Sequence, residues 1–232
     1  MMNNHRHLLS PKKPSAVTGV SMSTDLADNI RQLFIHLEPY QEWLFDLDNT
    51  LYAQAEYDHC IFTALENWLR QQGEAVSGLA RKMSAEKLRL GPSYPHLFDD
   101  VFAGFNLSPD IVSRAIEFYR DERPAFVSKH NLIAQIRANL QGRPLFIVTN
   151  GHTALQQHKV KCLGLDSLAS KVVYCDKHSP EQLKPSRWAW DRLLADYQFS
   201  HPLYVGDSPA IDGGFARNAG IDYYRFEYSY EH

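Results

Sequence analysis

Trp43-Leu44-Phe45-Asp46-Leu47-Asp48-Asn49-Thr50-Leu51-Tyr52 is the stretch that decides the fold of this chain. Three apolar residues suffice for a short buried strand, and carboxylates follow at once. In parallel α/β sheets, ligands sit just beyond the carboxyl ends of strands, so this placement already points to a site. The arrangement recurs. Leu145-Phe146-Ile147-Val148 runs into Thr149-Asn150-Gly151, and Leu203-Tyr204-Val205 runs into Gly206-Asp207-Ser208. Val172-Val173-Tyr174 and the segment Ile221 to Phe226 supply further strands. Helical patterns lie between them: residues 153–163, the stripe Trp190, Leu193, Leu194 and Tyr197, and a segment ending near Gly220. Strands alternating with helices predict an α/β fold, a doubly wound parallel sheet with right-handed crossovers.

Upstream, Leu26, Ile30, Leu33, Phe34 and Leu37 recur at helical spacing, with Thr24 or Asp25 as N-cap and Pro39 as the stop. After the first strand the pattern turns wholly helical. Tyr57, Ile61, Leu65, Trp68 and Leu69 mark one stripe, ending at Gly73. Further helices are expected near 76–89, 95–105, 109–122 and 129–140, with turns at Gly91-Pro92-Ser93 and Leu107-Ser108-Pro109. Residues 53–140 therefore read as an inserted helical cap on a core built from 25–52 and 141–232. Residues 1–24 carry no acidic residue and no hydrophobic period, and read as a disordered tail. A transit peptide, or an over-extended start with Met22 as initiator, are the other readings of that segment.

Composition removes several classes. At 232 residues with 44% hydrophobic content, the chain can build a full core without staples. A net charge of −3 offers no basic field for a nucleic-acid polymer. No apolar run approaches the roughly 18 residues of a membrane span. Cys60, Cys162 and Cys175 form no C-x-x-C motif and suit apolar filling in a reducing compartment, so a cytoplasmic protein is expected. Tyr223, Tyr224, Phe226, Tyr228 and Tyr230 show a partial period of two, which suits an end strand or a dimer contact. The expected state is a monomer or homodimer.

The chemistry lies in four polar clusters: Asp46/Asp48/Thr50, Thr149/Asn150, Lys184/Pro185 and Asp207/Asp212. If the sheet gathers them, several carboxylates share one crevice, and their ionised forms repel without a counter-charge. A divalent cation with oxygen ligands removes that repulsion, and Mg²⁺ suits a few carboxylates plus waters and a substrate phosphate. Lys184 and a Thr hydroxyl add a cation and a donor for an anion beside the metal. These are the parts phosphoryl transfer needs. With each residue type near ~5% usage, D-x-D-x-T is expected only about 0.03 times by chance in a chain of this length.

In these motifs the chain resembles the haloacid dehalogenase superfamily, in the branch whose helical cap is inserted after the first strand. Phe45 to Tyr52 matches the first motif, Ile147 to Gly151 the second, Lys184-Pro185 the third, and Gly206 to Asp212 the fourth. Within that superfamily, Phe45 to Tyr52 is similar to pyrimidine 5′-nucleotidases, and Thr149 to Gln157 to nucleoside monophosphatases.

The resemblance implies a role for each residue. Asp46 is the nucleophile that forms an aspartyl-phosphate. Asp48 protonates the leaving oxygen and then activates water, its pKa raised by the carboxylate cluster. Thr149 and the Asn150 N–H bind phosphoryl oxygens, and Lys184 offsets the charge on Asp46 and phosphate. Asp46, Asp207 and the carbonyl of Asp48 hold Mg²⁺. Asp212 orients metal-bound water or Lys184, and Thr50 supports the loop. Tyr52 lies at the expected hinge, while Arg89, Tyr94 and His96 flank a turn that could face substrate. Lys82 and Lys87 read as exposed helix residues, and His152 as solvent-exposed. The implied partner is a small phosphorylated metabolite, first a nucleoside 5′-monophosphate. The alternatives are a sugar-phosphate phosphatase, a phosphomutase, or a non-catalytic phosphate-binding protein.

Overall fold

A computed structural model describes residues 26–91, 94–128 and 131–226. Thr24, Asp25, the 1–24 tail, Pro92-Ser93, the start of the 129–140 helix, Tyr228 and Tyr230 lie outside them. Among the described residues, five parallel strands form one sheet: β1 (Glu42–Phe45), β2 (Leu145–Gly151), β3 (Lys171–Asp176), β4 (Pro202–Gly206) and β5 (Asp222–Arg225). Their order is β3-β2-β1-β4-β5, so β1 is central and the order reverses beside it. That reversal opens a crevice at the carboxyl edge. Phe45 pairs with both Ile147 and Val205, so Asp46 leaves the sheet level with the ends of β2 and β4.

Strand alternation divides the core into two faces. Trp43, Phe45, Leu145, Ile147, Leu203 and Val205 point to one face, under α1 (Leu26–Leu37), α6 (Leu132–Asn139) and α7 (Thr153–Cys162). Leu44, Phe146, Val148 and Tyr204 point to the other, under α8 (Trp188–Leu194) and α9 (Asp212–Ala219). Near-continuous apolar strands are what a sheet covered on both faces requires.

Between β1 and α6 the chain forms α2 (Gln54–Gln71), α3 (Leu79–Leu90), α4 (Leu97–Phe102) and α5 (Pro109–Asp121). The α2 stripe buries Tyr57, Ile61, Leu65 and Leu69 as its period requires. The Ser108 hydroxyl accepts from the Ile111 N–H, and Pro109 opens α5, as the turn signal there implies. Helix α6 lines a groove together with α1 and Trp43, beside the sheet. Cys162 and Cys175 are free thiols.

Leu44 is fully buried at the centre of the second face. Leu44→Ala is expected to cost about 2–5 kcal/mol. Urea titration would show this as a lower midpoint at an unchanged slope, and a shift under 1 kcal/mol would contradict the packing.

Candidate active site

The site is built where β1, β2 and β4 end. Asp46 follows β1 directly, its N–H donating to the Val205 carbonyl at 2.8 Å. Its carboxylate is nearly buried, with Oδ1 at 2.5 Å from Lys184 Nζ and Oδ2 accepting a long bond from the Thr50 hydroxyl at 3.4 Å. Lys184 Nζ also donates to Asp212 Oδ1 at 2.7 Å and to the Tyr204 hydroxyl at 2.8 Å. All three ammonium protons are therefore placed. Lys184 reaches this point because its backbone is tied to Asn150. Its N–H donates to Asn150 Oδ1 at 2.9 Å, and Asn150 Nδ2 donates back to the Lys184 carbonyl at 3.1 Å.

Asp212 approaches β4 closely because residue 206 is glycine. A Cβ there would lie 2.4 Å from Asp212 Cγ. Both Asp212 oxygens are engaged: Oδ1 by Lys184 and Tyr204, Oδ2 by the Ser208 N–H at 3.0 Å. Single carboxylate oxygens of Asp46, Asp207 and Asp212 lie within 4.8 Å of one another. Asp46 and Asp207 have the freer lone pairs, and their all-oxygen chemistry fits a hard divalent cation such as Mg²⁺.

The electrostatics agree with that fit. Burial lifts Asp46, Lys184 draws it back, and the Asp212 and Asp48 charges lift it again, to about 7. Burial and the Asp212 charge push Asp207 up to about 6. For Lys184, burial alone would lower the pKa, but the Asp46 and Asp212 carboxylates outweigh it and raise the ammonium above its ordinary range. One ammonium among three carboxylates leaves negative charge without a partner.

Asp48 departs from the sequence expectation of a raised pKa. Burial pushes it up, but the Lys159 ammonium outweighs that, helped by hydrogen bonds, and holds it below the usual carboxylate range. Lys159 Nζ lies 2.8 Å from Asp48 Oδ1, the Tyr52 hydroxyl donates to the same oxygen, and Gln156 Nε2 donates to Oδ2 at 2.8 Å. Gln156 also reaches the Thr149 hydroxyl at 2.6 Å, which leaves the Thr149 proton free for another acceptor. Gly151, at φ 153°, allows this: a Cβ there would sit 3.0 Å from the Gln156 side chain. Asn49 adopts φ 58°, a left-handed turn that asparagine tolerates, and its Oδ1 accepts the Gln54 N–H at the start of α2.

A cavity of about 460 Å³ opens over this floor, with Asp46, Asp48, Lys184 and Asp207 among its walls. Exposed His152 lies on its rim. Tyr52 is fully buried rather than lining the cavity; its ring packs on Phe126 and its hydroxyl holds Asp48. Arg89 and Tyr94 lie outside the lining. Arg89 pairs with Glu86, and the Tyr94 hydroxyl donates to Asp100 at 2.6 Å. Two residues round α3 is about 200°, so Arg89 faces away from Lys87, which does line the cavity. Lys87 is thus not an ordinary exposed residue: it is half-buried and paired with Asp58 at 2.7 Å.

Lys159, Tyr204 and Gln54 were not singled out by the sequence reading. Gln156 and Lys159 share one face of α7 at i, i+3 spacing after the second motif, and that spacing was the available signal. Tyr204 sits inside an apolar strand run, which conceals its hydroxyl.

A family model for haloacid dehalogenase-like hydrolases matches residues 44–220. The chain belongs to that family. Among solved structures it is similar to a proposed β-phosphoglucomutase from Thermotoga maritima, with TM-score 0.58, 13% identity, and 83% of this chain and 88% of that one covered. It is also similar to the HAD-hydrolase YfnB from Bacillus subtilis, bound to magnesium, with TM-score 0.55, 19% identity, and 79% and 85% covered. A haloacid dehalogenase-like family hydrolase from Xanthomonas campestris gives TM-score 0.52 at 16% identity, with 82% of each chain covered. These likenesses show the fold. No curated protein matches the chain.

The raised pKa values of Asp46 and Asp207 set a pH dependence without bound cation. Unfolded aspartates titrate near 4, so between about pH 4 and 7 the folded chain holds more protons than the unfolded chain. These groups therefore subtract stability as pH rises through that window. The Tm of EDTA-treated protein should fall across it, and millimolar Mg²⁺ should restore more Tm at about pH 7.5 than at about pH 5. Scanning fluorimetry at several pH values checks this, and an equal Mg²⁺ effect at both ends would contradict it.

Proposed function

We propose that this chain is a Mg²⁺-dependent phosphatase that hydrolyses small phosphomonoesters through an aspartyl-phosphate on Asp46. The observation that carries this reading is the buried Lys184 ammonium, shared by Asp46 and Asp212 at the cavity floor. Such a group lowers the cost of bringing a dianionic phosphate against a carboxylate nucleophile. Mg²⁺, held by Asp46, Asp207 and the Asp48 carbonyl, would supply further positive charge for the phosphoryl oxygens. Asp46 attacks phosphorus, and the ester oxygen leaves with a proton from Asp48. Asp48 then takes a proton from the water that attacks the aspartyl-phosphate, which frees phosphate and restores Asp46. A dianion entering beside Asp48 raises its pKa and opposes the hold of Lys159. Thr149 and the Asn150 N–H bind phosphoryl oxygens, while Asp212, Thr50 and the Asn150 amide position Lys184 and Asp46.

The inserted helices α2 to α5 act as the cap, with Gln54 and Lys87 facing the cavity. Helix α6, the last part of the 53–140 insert, borders a groove that it shares with α1. No helix among the described residues is long and apolar enough to cross a membrane. The free Cys162 and Cys175 thiols favour a cytoplasmic setting. Nucleoside 5′-monophosphates remain in the proposed substrate range. The described lining of the cavity holds no Phe, Tyr or Trp, which favours a small polar leaving group over a stacked base.

The test is phosphate release from nucleotides, sugar phosphates and p-nitrophenyl phosphate, with Mg²⁺ and with EDTA. Release should require Mg²⁺, and Asp46→Asn should lower kcat at least about a thousandfold with an unchanged melting curve. Full activity in Asp46→Asn would refute the assignment.

A further inference from the structure

A second cavity, about 170 Å³, adjoins the first and shares Asn49, Gln54 and Lys87 with it. Its volume is roughly the liquid share of five or six waters. It lies between α2 and α3, and Ala55, Asp58, Ser84, Leu88 and Gly91 complete its walls. Lys87 Nζ and Gln54 Nε2 both donate to Asp58 Oδ1, at 2.7 Å and 3.0 Å. Those contacts use one carboxylate oxygen and leave Oδ2 as an acceptor, and Lys87 keeps further protons to donate. The Ser84 Oγ is shielded from solvent and has no hydrogen-bond partner among the described residues. Ser84 nevertheless lines the cavity.

We propose that this cavity is a hydroxyl-reading subsite, and that the leaving group it accepts is a polyol or sugar. The inference rests on the phosphatase reading and names the substrate class of the same site. Charge supports it first. An isolated lysine would call for an anion, but Asp58 cancels the Lys87 charge and repels a carboxylate. What remains is a donor beside an acceptor. Vicinal hydroxyls match such a pair, because each both donates and accepts. Leu88, Ala55 and the Lys87 methylenes supply the apolar wall against which the C–H face of a ring can lie. A buried serine hydroxyl without a partner loses hydrogen-bonding free energy that a ligand hydroxyl would restore.

The experiment compares glycerol 3-phosphate, ribose 5-phosphate and glucose 6-phosphate with p-nitrophenyl phosphate and phenyl phosphate, whose leaving groups carry no vicinal hydroxyls. It reads kcat/KM with Mg²⁺ for the native chain, Asp58→Asn and Ser84→Ala. Asp58→Asn keeps the shape and removes the charge, and Ser84→Ala removes the hydroxyl alone. At least one polyol or sugar phosphate should exceed p-nitrophenyl phosphate about tenfold, and each substitution should cut that ratio about tenfold. A ratio that survives both substitutions overturns the subsite. Mg²⁺-dependent turnover of p-nitrophenyl phosphate or phenyl phosphate in preference to every polyol and sugar phosphate overturns it too, while the phosphatase reading stands. No phosphate release from any compound by folded, Mg²⁺-loaded protein overturns both.

Discussion

The arrangement at the sheet edge depends on one buried ammonium. Lys184 is enclosed, and desolvating an ammonium costs several kcal/mol unless its protons find good partners. Asp46, Asp212 and Tyr204 are those partners. The arrangement overshoots, because Asp46, Asp207 and Asp212 lie together against a single lysine, and two negative charges remain when all are ionised. A divalent cation restores neutrality. Asp48 and Lys159 form a separate neutral pair alongside. The raised pKa values of Asp46 and Asp207 express the same imbalance as proton uptake.

The backbone makes this cluster affordable only because several segments end at one level. Phe45 is in register with Ile147 and Val205, so the residues after β1, β2 and β4 emerge side by side. Lys184 comes from the loop after β3 and would be free to point elsewhere. The reciprocal amide bonds to Asn150 fix its backbone, and Gly206 lets Asp212 close from the far side. Each tie comes from a different segment. A change in any of them leaves a buried charge with a missing partner, which is costlier than loss of an exposed ion pair.

Much of this was legible because both the fold and the site impose residue types at fixed places. Apolar runs ending in carboxylates gave β1 and β4, and the run into Thr149-Asn150-Gly151 gave β2. Asp46, Asp207, Asp212 and Lys184 announced themselves by falling after such runs. Helix faces were less legible. Lys159 lies in His-Lys-Val-Lys, where one buried cation looks like its solvated neighbours until the α7 turn is set against the sheet. Lys87 was similarly hidden, since only the approach of α2 to α3 reveals Asp58 as its partner. The position of Tyr52 in the chain suggests a hinge and nothing about its hydroxyl. Its hydroxyl contact depends on the loop turn at Asn49, which brings residue 52 back against Asp48.

That loop turn joins two functions that sequence reading treats apart. Tyr52 and Gln54 stand at the entrance to the helical insert, yet both belong to the network around Asp48. The Tyr52 hydroxyl bridges Asp48 and Gln54 Oε1, and Lys159 bridges the same two groups from the opposite helix. Gln54 in turn extends through its Nε2 to Asp58, and so to Lys87 on α3. A continuous set of hydrogen bonds therefore runs from the Asp48 carboxylate, beside Asp46, to the helices that wall the cavity. A change in the angle at which α2 leaves the loop must move the Tyr52 hydroxyl and the Gln54 amide together. Since those groups set the surroundings of Asp48, the position of α2 and the hydrogen bonding of that carboxylate are one geometric variable.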